Sequence, residues 1–210
     1  MAMFVACILL KMSEGSVHAM NIFINPGHAL GGEPDPGAVN RELGIRECDI
    51  AMTIGSLVAN YLELAGDEAR LLQSDNLMGE AWGPCVVEEA NQWPADFFVS
   101  IHCNAFDGNA RGTETLYFPG STSGRELANC IQAELYGTLF LLDPDWSDRG
   151  LKERSDLAVL KYTDMPAALV ECAFIDNELD AYFLMHYGDE IARAIARGVT
   201  DYEAILYQNP

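Results

Sequence analysis

Short apolar runs rich in branched and aromatic residues alternate along this chain with longer stretches in which apolar residues recur at helical spacing. The runs "NIFIN" (21–25), "ARLLQ" (69–73), "FFVSI" (97–101), "ETLYF" (114–118), "LAVL" (157–160) and "ALVEC" (168–172) read as strands. Between the first two, Ile50, Ile54, Leu57, Val58, Tyr61 and Leu62 recur at helical spacing, and Gly66 is placed to stop that helix. Further helices are expected near 79–92, 123–140 and 188–206. The alternation predicts an α/β fold: a single domain with a mainly parallel central sheet of about six strands flanked by helices. That domain is expected over residues 21–206, with 1–20 a leader and 207–210 a tail.

The composition narrows what such a domain does. Of 210 residues half are hydrophobic and 21% charged, enough for one compact core and too few for two full domains. Lys and Arg number 12 against 32 Asp and Glu, a formal charge of −20. That balance excludes the electrostatic footprint of a nucleic-acid binder and disfavours an anionic membrane surface. No stretch is long and apolar enough to span a bilayer. The opening "MAMFVACILL" fits either of two readings: a signal-like segment lacking a basic start, with "SVHA" as a cleavage site, or sequence upstream of a true start at Met20. Six cysteines form no CxxC pair, so neither a zinc ribbon nor a disulfide framework is indicated. Unpaired thiols fit a reducing setting.

Candidate chemistry gathers at strand ends. "PGHALGGEPDPGAVN" leaves directly from the first strand, His102 follows "FFVSI", and Glu171 ends "ALVE". Ligands of open α/β sheets bind beyond the carboxyl ends of the strands, so His28, His102 and Glu171 are delivered to one edge from three remote segments. Two histidines with a carboxylate suit Zn²⁺, which leaves one position for water in catalytic sites. The further carboxylate is Glu42, Glu47 or Asp49, all near the start of the helix after the loop, and spacing alone does not choose between Glu42 and Glu47. Cys103 beside His102 offers a thiol nucleophile, but neighbours on a strand point to opposite faces and do not form a nucleophile–base pair. Cys103 and Cys172 are therefore expected as buried packing neighbours.

In order along residues 21–205, "INPGHALGGEPDPGAVN", "LGIRECDI", "ADFFVSIHCNA", "GTETLYF" and "DRGLKE…LAVLKYTDMPAALVECAFIDNELD" resemble the zinc-dependent N-acetylmuramoyl-L-alanine amidases that cleave bacterial peptidoglycan. The resemblance implies that His28, Glu47 and His102 bind zinc and that Glu171 is the catalytic carboxylate. It implies cleavage of the amide between the muramic acid lactyl group and L-Ala of the stem peptide. Peptidoglycan or a muropeptide is the implied partner, met outside the cytoplasm by a monomer, in wall turnover, sporulation or phage lysis. Asn104 and the loop 29–40 are expected to shape the substrate groove.

The chain departs from the family pattern at Asn25, where Asp is usual, and at Gln73, where Arg is usual. Neither change removes an implied ligand. The segment between His102 and Glu171 leaves no room for an additional long helix of the kind that occludes the site in self-inhibited relatives, so an open groove is expected. No wall-binding module is expected after residue 206. Two other readings compete: a zinc peptidase or deacylase on the same fold, and a non-catalytic wall-binding domain with a relic site.

Overall fold

The computed structural model describes residues 19–208. Most of the leader expected over 1–20, and the last two residues of the tail, lie outside the described residues. In chain order the elements are β1 (Asn21–Pro26), a 3-10 turn (Leu30–Gly32), β2 (Val39–Asn40), β3 (Ile45–Arg46), α1 (Glu47–Ala65) and β4 (Glu68–Leu71). They continue with α2 (Val86–Gln92), β5 (Phe97–Asn104), β6 (Thr113–Tyr117), α3 (Thr122–Leu142), β7 (Asp148–Glu153), α4 (Ala158–Lys161), β8 (Ala167–Phe174), α5 (Glu178–His186) and α6 (Gly188–Gln208).

Six strands form one sheet in the order β4-β1-β5-β8-β6-β7, and β2 pairs with β3 in a small antiparallel ribbon. Strands β4, β1, β5 and β8 run parallel. β6 is antiparallel to β8, and β7 follows β6. The sheet is thus mainly parallel with a reversed pair at one side. Its central strands are apolar on both faces because helices cover both faces. Ile22, Ile24, Val99, Ile101 and Val170 join the larger core beneath α1, α3 and α6. Their alternate neighbours Phe23, Phe98, Ala167 and Leu169 pack in a second core with Val86, Val87, Val159 and Leu160 of α2 and α4.

The structure departs from the sequence reading in four places, each with a physical cause. "LAVL" is not a strand: Ala158–Lys161 is a helical turn that buries Val159 and Leu160 against the sheet face. A four-residue apolar run looks the same in either state. The sixth strand is instead β7, "DRGLKE", whose side chains are exposed or half-buried throughout because it lies at the sheet's edge. The helix expected over 79–92 begins only at Val86. Before it, the buried Asn76 side chain accepts from Gly79 N and Ala81 N and donates to Gly83 O, holding 77–85 as a loop. The nine-residue α5 was not anticipated; Asn177 starts it by accepting from Leu179 N and Asp180 N. Gly66 ends α1 as expected, in the left-handed region at φ 100°.

Candidate active site

Because β1, β5 and β8 are parallel, their carboxyl ends share one edge of the sheet, and the residues of interest collect there. His102 near the end of β5 is the register partner of Glu171 on β8, and Glu171 is in turn the partner of Glu114 on β6. Adjacent strands lie about 4.8 Å apart, so three ionisable residues stand in a row across neighbouring strands. His28 follows β1 by two residues and takes a left-handed conformation at φ 68°, a strained choice for a residue with a Cβ.

Glu47 is the hub. It opens α1, where the helix N-terminus favours negative charge, and it is 4% exposed. Its Oε1 lies 2.9 Å from His28 Nε2 and 2.9 Å from His102 Nδ1, and also accepts from Cys103 N at 2.9 Å. Its Oε2 accepts from Ala38 N at 2.8 Å, and its own N–H donates to Ala38 O. One ligand atom from each of His28, Glu47 and His102 fits within 4.8 Å of the others. Among the candidate third carboxylates, Glu42 is exposed in the turn before β3, and Asp49 is held by Arg46 at 2.7 and 2.8 Å.

Two glycines make this convergence possible. A Cβ on Gly27 would lie 2.2 Å from His102 Cε1, so the ring packs flat on a bare backbone. A Cβ on Gly37 would lie 2.5 Å from His28 Cδ2 and 2.6 Å from Glu47 Oε2, and Gly37 also sits at φ 67°.

The electrostatics follow from the packing. Burial alone would raise the Glu47 carboxyl, but His102 and His28 hold it far below the usual carboxylate range. Burial alone would lower His28; Glu47 and Asp35 override it and raise His28 to about 9. Asp35 was not singled out from sequence. Its Oδ2 lies 2.8 Å from His28 Nδ1 while its Oδ1 accepts from Gly37 N. The only sequence signal was an acid seven residues past His28 inside the glycine-rich loop.

Glu171 behaves differently. Its Oε2 is buried without a hydrogen-bond partner among the described residues. Burial, reinforced by the charges of Glu47 and Glu114 and opposed by those of His102 and His28, raises it to about 7. Cys103 and Cys172 are buried in the larger core, and burial pushes both thiols up, so neither is a nucleophile. Asn104 lies at the same edge. Its Nδ2 donates to Glu114 Oε1 at 3.0 Å, and Arg149 Nε donates to Glu114 Oε2 at 2.9 Å.

Of the segment between His102 and Glu171, the long helix is α3, which packs against α6, β6 and β8. The His28 and His102 side chains remain 20% and 19% exposed. Among the described residues no helix is long and apolar enough to cross a membrane.

The chain shares its sequence pattern and fold with known proteins. YqiI of Bacillus subtilis, an uncharacterised protein, is 37% identical over 191 residues, 89% of this chain and 86% of that one. The N-acetylmuramoyl-L-alanine amidase LytC of Bacillus subtilis is 35% identical over 86% of this chain, which spans only 35% of LytC's length. The crystal structure of an N-acetylmuramoyl-L-alanine amidase from Clostridium difficile 630 superposes with a TM-score of 0.75 at 28% identity, covering 90% of this chain and 98% of that one. The family model described as N-acetylmuramoyl-L-alanine amidase matches residues 22–201, and the chain belongs to that family.

Proposed function

We propose that the protein is a zinc-dependent amidase that hydrolyses the bond between N-acetylmuramic acid and L-Ala in peptidoglycan. The observation that carries this reading is the meeting of one ligand atom each from His28, Glu47 and His102 within 4.8 Å, with Glu171 on the strand next to that of His102. The donor set of two imidazole nitrogens and one carboxylate oxygen suits zinc, and a facing Glu171 leaves room for catalysis beside it. Asp35 supports the fit, because accepting from His28 Nδ1–H leaves Nε2 as the lone-pair nitrogen.

Held by His28, Glu47 and His102, zinc would supply polarisation of the scissile carbonyl and acidification of water. Glu171 takes the proton of the attacking water and passes it to the departing alanine nitrogen. Its carboxyl stands on the strand next to His102, where a positioned acid–base group could serve both halves of that transfer. Glu47, bonded to His28, His102, Cys103 N and Ala38 N, and Gly37, whose bare backbone leaves space for His28 and Glu47, would keep the cluster in place before substrate arrives.

Asn104, tied to Glu114 and through it to Arg149, would line the groove on the β6 side of Glu171. We take residues 21–206 as the catalytic domain, acting as a monomer outside the cytoplasm, where peptidoglycan lies. Incubation with purified muropeptides, followed by mass spectrometry, tests the reading. The expected products are a stem peptide with a free L-Ala amino terminus and a muramic acid bearing a free lactyl carboxylate. Cleavage confined to bonds within the peptide would assign a peptidase instead, and binding without cleavage would assign a wall-binding domain.

A further inference from the structure

Residue 73 is one of two positions where the chain departs from the family pattern, and it lies between the segments that carry two of the candidate ligands. Gln73 follows β4 by two residues and is buried, 7% exposed. Its Nε2 donates at 2.9 Å to the carbonyl of Gly27 and at 2.8 Å to the carbonyl of Cys48. Gly27 immediately precedes His28, and Cys48 immediately follows Glu47. A single side-chain nitrogen with two protons thus ties the end of the first strand to the first turn of α1, one residue from each ligand.

Gln73 is itself buried, and a buried carbonyl that loses its donor is costly to leave alone; this bears on Gly27, which lies outside the helices, more than on Cys48, whose carbonyl is also placed to accept within α1. The other departure, Asn25, works at the same level of the fold. Its Nδ2 donates to the carbonyl of Leu72, next to Gln73, and its Oδ1 accepts from Ser100 Oγ. The amides of Asn25 and Gln73 therefore bind β1, β4, β5 and the start of α1 through neutral hydrogen bonds alone.

We propose that Gln73 is a positioning residue for the metal centre, setting the separation of His28 from Glu47 and so the affinity and coordination geometry of the bound ion. The proposal rests on the zinc reading above. Groups that orient ligands without touching the metal typically change affinity by about 10–100-fold when removed, and Gln73 belongs in that range.

The test uses metal-free protein titrated with Co²⁺ and Zn²⁺ against a competing chelator, together with the visible absorption of the Co²⁺ form. Gln73→Met keeps the shape of the side chain and removes both donors. It is expected to weaken Zn²⁺ binding by at least about tenfold and to alter the Co²⁺ spectrum, at a temperature where circular dichroism shows the fold intact. If Gln73→Met does not fold, Gln73→Asn, one methylene shorter and still polar, is expected to show the same two changes. A folded variant with wild-type affinity and an unchanged Co²⁺ spectrum would overturn the proposal and leave Gln73 a purely structural residue. Wild-type protein that binds neither ion would instead overturn the zinc reading, so the two failures are distinguishable.

Discussion

Glu171→Gln in the metal-free protein isolates the electrostatic cost built into the site. Folding carries the Glu171 carboxyl from water to a buried position where Oε2 has no hydrogen-bond partner among the described residues. Burial, with Glu47 and Glu114 nearby, raises it from 4.5 to about 7. Between those values the folded protein keeps a proton that the unfolded chain has released, so this group lowers stability progressively as pH rises from about 4.5 to about 7. At about 1.4 kcal/mol per pH unit, the full effect above pH 7 is about 3 kcal/mol. Gln removes the charge with little change of shape. Urea unfolding with chelator present, across pH 4 to 8, should find the two proteins equally stable at the acid end. The variant should pull ahead as pH rises, by about 3 kcal/mol above pH 7. A difference that does not vary with pH, or a variant less stable than wild type at pH 8, would refute the assignment of a desolvated, unpartnered carboxyl at this position.

His28, raised to about 9 by Glu47 and Asp35 against the effect of burial, contributes stability that is complete below pH 6.5 and lost as pH rises through about 9. Its ring signal in an NMR titration of chelated protein should therefore turn over near 9. Asp35→Asn should lower that midpoint and weaken zinc binding by about tenfold, whereas an unmoved midpoint would remove Asp35 from the site. Gly37→Ala forces a Cβ into His28 and Glu47 at φ 67°, and the backbone strain alone costs about 1–2 kcal/mol. A thermal melt with a drop of several degrees and a parallel loss of zinc affinity are expected; a neutral result would mean that the loop relaxes without moving either ligand.

How much of this was legible from sequence follows burial. The central strands announced themselves because a strand covered on both faces is largely apolar, and "FFVSI" and "ALVEC" are so except at Ser100 and Glu171. The edge strand "DRGLKE" is exposed along most of its length and carries no such signal, while the apolar "LAVL" belongs to a single helical turn pressed on the sheet. Likewise His28, His102 and Glu171 were readable because strand ends deliver them. Glu47 came from family resemblance, and the structure supplies its reason: the first turn of α1 is bonded in both directions to Ala38 of the loop. Gln73 and the Glu114–Arg149 pair act through contacts between segments far apart in sequence, which no local pattern encodes, whereas Asp35 lies seven residues from His28 in an irregular loop whose turns no periodicity specifies. Gln73 and Asn25 could be seen only as departures; their roles emerged once the carbonyls they bond were known.

The central claim is that His28, Glu47 and His102 hold one zinc ion on which hydrolysis depends, and metal analysis joined to reconstitution tests it most directly. Protein purified without chelator should carry zinc near one ion per chain, lose muropeptide cleavage on chelation and regain it on adding zinc. His102→Ala should hold no zinc and stay inactive when zinc is restored. Full activity in chelated protein, or wild-type zinc content in His102→Ala, would contradict the account.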